Sequence, residues 1–247
     1  MIEGKASTLF ARWATSYSAC DGGDIGSAER RATWFCGIEW GGGHVANVEV
    51  LNTMFAEDLR QPPIGYDTWE ENLAYIFNWQ AMKLLSVING RQVSDYKSFA
   101  KEVKPFTSGS RGYFKMNLYP LAFRNTSHEH WASEFAQATG LADKASYLSW
   151  IKANRFPAMR AWTDQHLPKV IVCAGITYLH DFRLAFGEEE MNLTTEIIDD
   201  RQLVFGFNTL GTLIVVIPFM VNRNGLTRNA SIQKFGERIR SLLSFGD

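Results

Sequence analysis

The sequence predicts an α/β protein, a three-layer α/β/α sandwich with a mostly parallel central sheet. Short apolar runs of strand length recur along the chain, and segments with helical periodicity separate most of them. The chain has 247 residues, of which 46% are hydrophobic, so it is long enough to bury a large core. We therefore expect a single domain over residues 1–247, with residues 1–32 as a helical extension packed on it.

The first third of the chain contains two predicted helices and one predicted strand. Apolar residues recur at helical spacing near the N-terminus, namely Leu9, Phe10, Trp13 and Tyr17. The glycine-rich CDGGDIGS, residues 20–27, is predicted to be a loop that ends this first helix. Residues 32–38 are typical of a buried strand, and residues 67–90 predict a long helix capped by Asp67 and closed by Gly90.

The remaining elements follow the same alternation. Strands are predicted in residues 112–123 and 169–176, and residues 201–220 are typical of two strands joined by a turn at residues 208–211. Helices are predicted over residues 127–140, over residues 144–166 and after residue 176. A last helix carries apolar residues on one face, namely Ile232, Phe235, Ile239, Leu242 and Leu243.

Charge is balanced overall but unevenly distributed. The formal net charge is -1, so the average charge does not indicate a polyanionic partner. Residues 188–200 carry six acids and no base, whereas bases outnumber acids from residue 218 to the end. The simplest interpretation of each run is a solvated face of the protein.

Cysteine and histidine positions argue against a metal site. Cys20, Cys36 and Cys173 have no C-x-x-C spacing, and His128 and His130 would point to different faces of a helix. We expect no metal and no organic cofactor. The N-terminus lacks a signal-peptide pattern and no apolar run is long enough to span a membrane, so we expect a soluble, cytoplasmic protein. No protein partner is evident, and a monomer is expected.

Three predicted strand ends carry the residues that are most suggestive of function. They are IEWGGG at residues 38–43, MNLYPL at residues 116–121 and IPFMVNRNG at residues 217–225. In an open parallel sheet, ligands bind in the crevice beyond the carboxyl ends of the strands. These three segments are therefore expected to converge on one site.

The order of these segments resembles the uracil-DNA glycosylase superfamily. The matching pieces are GIEWG at residues 37–41, KMNLYPL at residues 115–121, and the segment of residues 217–243 that runs from IPFM into the last helix. The resemblance covers most of the chain, from about residue 33 to the C-terminus. It implies a monofunctional DNA glycosylase, which flips a pyrimidine nucleotide out of the DNA stack and hydrolyses its bond to deoxyribose.

The resemblance also implies roles for single residues. Glu39 stands where the family has Asp or Asn and would assist the attacking water and the sugar cation, while Asn117 would hold the base. The alternative interpretations are that Glu39 caps the next turn and that Asn117 is a buried residue that ties two segments together. In the family, a histidine just before the proline of the last segment stabilises the departing base. Here Ile217 precedes Pro218, so this histidine is absent, and His44 or the Asn117 amide is the candidate replacement.

The expected substrate follows from the glycines beside Glu39. In the uracil-restricted branch of the family a tyrosine blocks substituents on carbon 5 of the base, and the matching position here is Gly41. The expected substrate is thus a 5-substituted pyrimidine, either in base excision or in antiviral defence against phage with modified DNA. The residues expected to surround the base are Gly37, Ile38, Trp40, Gly41, Gly42 and Asn117.

The segment after the last strand is expected to hold DNA. Met220, Val221 or Leu226 would fill the space left by the flipped nucleotide. Phosphates would be bound by the polar and basic residues of the same segment, namely Asn222, Arg223, Asn224 and Arg228. An ordinary surface loop is the alternative interpretation.

Two other functions remain open from the sequence. One is a catalytically inactive relative that binds DNA or nucleotides, which the missing histidine favours. The other is an α/β hydrolase that acts on free nucleosides.

Overall fold

A computed structural model describes residues 5–123 and 131–244 of the chain. The helices are α1 (Thr8–Ala14), α2 (Val48–Phe55), α3 (Trp69–Leu73), α4 (Ile76–Ile88), α5 (Tyr96–Val103), α6 (Ser133–Thr139), α7 (Lys144–His166), α8 (Leu179–Phe186) and α9 (Asn229–Leu243). The strands are β1 (Cys20–Gly23), β2 (Thr33–Gly37), β3 (Tyr113–Asn117), β4 (Val170–Ala174), β5 (Thr194–Ile198), β6 (Arg201–Phe207) and β7 (Leu213–Ile217). Within these ranges, every helix is too short or too polar to cross a lipid bilayer.

One seven-stranded sheet runs through the molecule in the order β1-β3-β2-β4-β7-β6-β5. The four central strands β3, β2, β4 and β7 are parallel, while β1 at one edge and β6 and β5 at the other are antiparallel to their neighbours. The parallel strands bury every residue, as expected for strands covered on both faces. The predicted mostly parallel sheet is confirmed.

Alternate residues of each strand divide the core into two layers. Trp34 and Cys36 of β2 point into the cluster that contains α1, α7 and α8, whereas Phe35 points into the cluster that contains α4, α5 and α9. The period of two in a strand causes this division. Helices therefore cover both faces of the sheet, and the protein has the predicted α/β/α layering.

The predicted long helix of residues 67–90 is two helices instead of one. Its N-cap is Thr68, whose hydroxyl accepts from the Glu71 amide, so the prediction of Asp67 as the cap is wrong. The chain leaves helical geometry at Tyr75, the N-cap of α4, which has φ -93° and ψ 125°. The predicted end is confirmed, because Gly90 follows α4 with a φ of +90°. The break matters because residues 75–78 reach the functional site.

The predicted loop of residues 20–27 contains the edge strand β1. Cys20 pairs with Met116 and Gly23 with Phe114, and the register shifts between Cys20 and Gly22. Gly22 and Gly23 have φ of +101° and +110°, and a side chain at either position would collide with neighbouring backbone. The N-terminal segment therefore contributes a strand to the sheet as well as a helix, which corrects the prediction that residues 20–27 are a loop.

The acidic and basic runs near the C-terminus bind each other. The acidic run includes β5, an edge strand that the sequence analysis missed, and Glu196 on this strand pairs with Arg238 of α9 at 2.7 Å. Asp199 accepts from Lys234 and from Ser231 of the same helix. The two runs thus form an ion-paired contact between the sheet edge and α9, instead of two independent solvated faces.

The β6–β7 hairpin confirms the predicted turn at residues 208–211. The Asn208 side chain accepts from the amides of Leu210 and Thr212, and the Asn208 amide donates to Thr212 O. These hydrogen bonds from backbone amides to the Asn208 side chain close the turn locally. The hairpin delivers β7 into the parallel part of the sheet, with its carboxyl end on the same side as those of β2 and β3.

Candidate functional site

The three predicted strand ends meet in one cavity of about 1010 Å³. Its wall includes Gly37 to Gly42 at the end of β2, Asn117 at the end of β3, and several residues after β7, namely Pro218, Phe219, Val221, Asn222, Asn224 and Gly225. The α3–α4 junction adds Tyr75, Ile76, Phe77 and Asn78. The convergence predicted from the sequence is confirmed, because all three strands are parallel and end at the same edge of the sheet.

Glu39 lies at this edge in a partly desolvated position. Its Oε1 accepts a hydrogen bond from the Phe123 amide at 3.3 Å. Burial raises the pKa of the Glu39 carboxyl to about 7, and the hydrogen bond from Phe123 and the charge of Lys144 oppose that rise. A carboxyl group with a pKa near neutrality is suited to exchange protons with a substrate or a water molecule.

A second chamber of about 420 Å³ also has Glu39 in its wall. Tyr119 donates to Asp181 at 2.6 Å, and Lys152 pairs with the other oxygen of Asp181 at 2.6 Å. Lys144 also lines this chamber, with Nζ 4.2 Å from the centre of the Phe123 ring. Glu39 therefore borders two cavities, a large one of mixed character and a smaller one rich in charged groups.

Asn117 is buried at the end of β3, where it ties two chain segments together and also lines the large cavity. Its Nδ2 donates to Ala19 O at 3.3 Å, so the amide ties the end of β3 to the segment before β1. The same side chain lines the large cavity. Asn117 is paired with Gly37 on the neighbouring strand, where a Cβ atom would collide with Asn117 Oδ1. Gly37 thus leaves the space that the amide fills.

The remaining residues predicted around the base also line the large cavity. Ile38, Trp40, Gly41 and Gly42 all contribute to its wall. No atom lies within 4 Å of the position that a Cβ would take at Gly41, and its φ is outside the left-handed region. The cavity is therefore open at Gly41, and a side chain there would not strain the backbone.

His44 lies outside the wall of the large cavity, so the expectation that it acts on the leaving group is not supported. Its Nδ1 accepts from the Ala122 amide at 3.0 Å, and its own amide donates to Ala122 O at 2.9 Å. Burial lowers the pKa of the imidazole, which favours the neutral ring that such an acceptor requires. His44 ties the glycine loop to the chain after β3.

The loop after β7 differs from its predicted form in its apolar residues. Met220 and Leu226 are fully buried in the core against α4 and α9, so the prediction that they insert into DNA is wrong. Their burial anchors the loop, and the Leu226 amide donates to Phe219 O at 2.9 Å. Val221 is half-buried and lines the cavity.

The polar residues of the same loop are at the surface, as predicted. Asn222 and Asn224 are exposed and line the cavity, whereas Arg223 and Arg228 are exposed but are not part of its wall. Arg228 is the N-cap residue of α9, and the next residue, Asn229, accepts a hydrogen bond from Lys83 at 2.9 Å. The segment that lines the cavity with Asn222 and Asn224 therefore also carries two exposed arginines.

A polar cluster in the cavity wall was missed by the sequence analysis. Asp21 accepts from Lys115 at 2.8 Å and from the Tyr66 hydroxyl at 2.6 Å, and Asn78 donates to that hydroxyl at 3.1 Å. Trp40 Nε1 also approaches Asp21, at 3.4 Å. A lysine inside an otherwise apolar strand, YFKMN, was the one sequence signal that pointed to this cluster.

Aromatic rings line the wall next to Gly37 and Asn117. Phe77 lies 5.6 Å from Phe219 between ring centres, at 31°, and makes an edge contact with Phe35. Tyr75 is more than half exposed at the mouth of the cavity. The break before α4 brings Phe77 and Tyr75 to the site.

Arg155 of α7 holds the backbone behind the site. This guanidinium is fully buried and donates to the carbonyl groups of Asn117 and Leu118 at the end of β3. It also donates to carbonyl groups of the segment before β1, at Ala14, Ser16 and Ser18. One side chain therefore fixes the end of β3 against the N-terminal segment.

We compared the sequence with protein-family models and with curated proteins. No protein-family model matches the sequence, and no curated protein matches it significantly.

His128 and His130, which the sequence analysis considered as metal ligands, lie outside the described residues. Of the helix predicted over residues 127–140, the structure describes α6, which begins at Ser133.

Proposed function

We propose that this protein is a monofunctional DNA glycosylase that hydrolyses the N-glycosidic bond of a flipped, 5-substituted pyrimidine nucleotide. The observation that carries the proposal is the meeting of Glu39 and Asn117 in the wall of one cavity at the carboxyl edge of the parallel strands. The resemblance of the three strand ends to the uracil-DNA glycosylase superfamily is consistent with this arrangement.

Glu39 supplies the chemistry of the proposed reaction. Loss of the base leaves positive charge on the deoxyribose, and a nearby carboxylate stabilises that charge and accepts a proton from the attacking water. With a pKa raised to about 7, the Glu39 carboxyl gains and loses a proton near neutral pH. It therefore works best in its ionised form, above that pH.

Asn117 and the open wall supply base recognition. The amide of Asn117 offers donor and acceptor groups to the edge of a pyrimidine, and the Phe77 ring lies on the same side of the cavity. Empty space at Gly41 accommodates a substituent on carbon 5. A cavity of about 1010 Å³ is larger than a bare pyrimidine requires, which favours a modified base.

DNA binding in this proposal rests on the rim of the cavity. Arg223 lies in sequence between two residues that line the cavity, and Arg228 follows three residues after Gly225, the last of them. Both arginines are exposed and are available to phosphate groups of the DNA. Because Met220 and Leu226 are buried, the half-buried Val221 is the remaining apolar candidate for contact with the gap in the stack. Antiviral defence and base excision repair are both compatible with this activity.

The direct test is base release from oligonucleotides that carry uracil, 5-hydroxymethyluracil or glucosylated 5-hydroxymethylcytosine. We expect release of a 5-substituted base by the natural protein and none by the Glu39→Gln variant, which still binds the DNA. Equal product formation by both proteins would exclude Glu39 as the catalytic group. Binding without release by the natural protein would favour an inactive DNA-binding relative.

A salt titration separates the proposed enzyme from a nucleoside hydrolase. A protein that binds DNA phosphates loses affinity as salt rises, and each phosphate contact removed lowers the slope of log affinity against log salt by about 1. We expect Arg223→Ala and Arg228→Ala each to reduce that slope. Turnover of free nucleosides, with no dependence on salt, would support the hydrolase instead.

A further inference from the structure

Lys115 occupies an unusual place for a lysine, inside the cavity wall on a central strand. It lies two residues before Asn117 on β3, so both side chains leave the same face of the strand. In the register of the sheet, Lys115 is paired with Phe35 of β2, and Asn117 is paired with Gly37. Lys115 is almost completely buried, and it is the one basic side chain among the described residues that line the large cavity.

The groups around Lys115 hold its ammonium group in a defined position. Asp21 accepts from Nζ at 2.8 Å, and Tyr66 in turn donates to Asp21 at 2.6 Å. The rings of Phe77 and Tyr66 lie 5.6 and 5.9 Å from Nζ, within the range of cation–π contacts. An ammonium group has three hydrogen-bond donors, and Asp21 occupies one of them. Donors therefore remain for a ligand in the cavity.

The proposed reaction lacks a positively charged group for the departing base, since the Asn117 amide is neutral and its Nδ2 already donates to Ala19 O. When the bond between the sugar and the ring nitrogen breaks, both bonding electrons go to the pyrimidine, which leaves as an anion. The histidine that serves this purpose in the resembling family is absent, and His44 lies outside the cavity wall. A hydrogen-bond donor with positive charge, placed near the base, would lower the energy of this anion.

We propose that Lys115 is a further catalytic residue, which donates a hydrogen bond from its ammonium group to the carbonyl oxygen of the departing pyrimidine anion. This inference rests on the proposed glycosylase function. Glu39 takes one proton from the attacking water, the resulting hydroxyl group bonds to the anomeric carbon, and the base anion leaves and is later protonated by solvent. Asp21 is a positioning residue that holds the ammonium group beside Asn117.

A buried ion pair with a purely structural role is the competing explanation. Such a pair is costly to desolvate, and replacement by apolar residues is often neutral for stability. A structural role predicts the same loss of rate for every base when Lys115 is replaced. The catalytic role predicts a loss that depends on the base, because poor leaving groups need the ammonium group most.

The test measures single-turnover rates on two bases of similar size, 5-hydroxymethyluracil and 5-formyluracil, in otherwise identical oligonucleotides. The formyl-substituted ring is the stronger acid and the better leaving group. We expect Lys115→Met to slow release of 5-hydroxymethyluracil by about 10²-fold, the usual effect of removing one such donor, and release of 5-formyluracil clearly less. Equal slowing of both, or no slowing, overturns the inference.

Lys83→Met is the matched control. Lys83 is also a buried lysine with one side-chain acceptor, Asn229, but it lies outside the cavity wall. We expect this variant to keep the natural ratio between the two rates. Lys115→Gln, which keeps N–H donors without the charge, is expected to fall between Lys115→Met and the natural protein.

A measurement on the natural protein covers the case in which the Lys115 variants do not fold. Free 5-formyluracil is expected to inhibit more strongly as the base ionises, measured above pH 8, where the Glu39 carboxyl is already ionised and its charge no longer changes. Weaker inhibition over that range overturns the inference. A natural protein that releases neither of the two bases also overturns it. In that case, release of another pyrimidine from the wider panel would leave the proposed function standing.

Discussion

Gly37 and Asn117 are paired in register at the carboxyl ends of β2 and β3, and Asn117 Oδ1 lies in the space that a side chain at position 37 would fill. The conformation of Gly37 does not require glycine, since its φ is outside the left-handed region. Space for the Asn117 amide is therefore the reason why the structure needs glycine at this position.

Gly37→Ala is expected to displace the Asn117 amide and weaken base recognition. The new methyl group would collide with Asn117 Oδ1, and the amide would also lose its hydrogen bond to Ala19. We expect KM for the substrate to rise at least tenfold and stability to fall by about 1–3 kcal/mol, the usual cost of overpacking. Steady-state kinetics and denaturant unfolding measure the two effects, with Gly41→Ala as a control that meets no atom within 4 Å.

Glu39 is expected to determine the acid limb of the pH–rate profile. Only the ionised carboxylate stabilises the sugar cation and accepts a proton, and the pKa of Glu39 is raised to about 7. The rate of base release should therefore rise about tenfold per pH unit below pH 7 and level off above it. A profile measured under single-turnover conditions that stays flat between pH 5 and about 7 would falsify this role for Glu39.

Glu39→Gln is expected to stabilise the protein in alkaline solution. The folded-state pKa of about 7 lies above the ordinary value of 4.5, so burial of the charged form costs stability above pH 7. This cost declines as pH falls from 7 and disappears below about pH 4.5. Glutamine keeps an acceptor for the Phe123 amide without the charge, so we expect a gain of about 1–3 kcal/mol at pH 8, since one pKa unit corresponds to about 1.4 kcal/mol.

Thermal unfolding of both proteins at pH 4 and pH 8 checks this expectation. The variant should unfold several degrees higher at pH 8 and at nearly the same temperature as the natural protein at pH 4. A difference of equal size at both values would mean that packing, rather than ionisation of Glu39, causes the effect.

Gly41→Tyr is expected to narrow the substrate range. The position is open and free of backbone strain, so a tyrosine fits without disturbing the fold and reduces the space beside carbon 5 of the base. We expect kcat/KM for 5-substituted pyrimidines to fall by 10-fold or more relative to plain uracil. Gly41→Ala is the matched control, and equal effects on all bases in the tyrosine variant would exclude Gly41 as the selective position.

Arg155→Met is expected to destabilise the protein strongly. The guanidinium is fully buried and satisfies carbonyl groups at Asn117, Leu118 and three positions of the N-terminal segment. Loss of these donors leaves buried acceptors unpaired, at a cost of about 3–5 kcal/mol. Arg155→Lys should recover only part of this, because one ammonium group cannot reach all five carbonyls. Denaturant unfolding measures both variants, and a loss below 1 kcal/mol in Arg155→Met would contradict the role assigned to it.

The pattern of the sequence alone determined the layered architecture and the position of the site. Apolar runs of strand length separated by helices predicted the parallel strands β2, β3, β4 and β7, because strands buried on both faces are largely apolar. The rule that parallel strands end at one edge of the sheet placed Glu39 and Asn117 together. Neither conclusion required knowledge of any long-range contact.

Only the tertiary structure decided which side chains face the cavity. Met220 and Leu226 flank the polar residues of the loop after β7 and were expected to contact DNA, but they are buried in the core cluster that includes residues of α4 and α9. Asp21 belongs to a predicted loop and Lys115 to a predicted strand, yet they form an ion pair because β1 lies beside β3. Burial and charge pairing depend on neighbours that are distant in the sequence, and local periodicity carries no information about them.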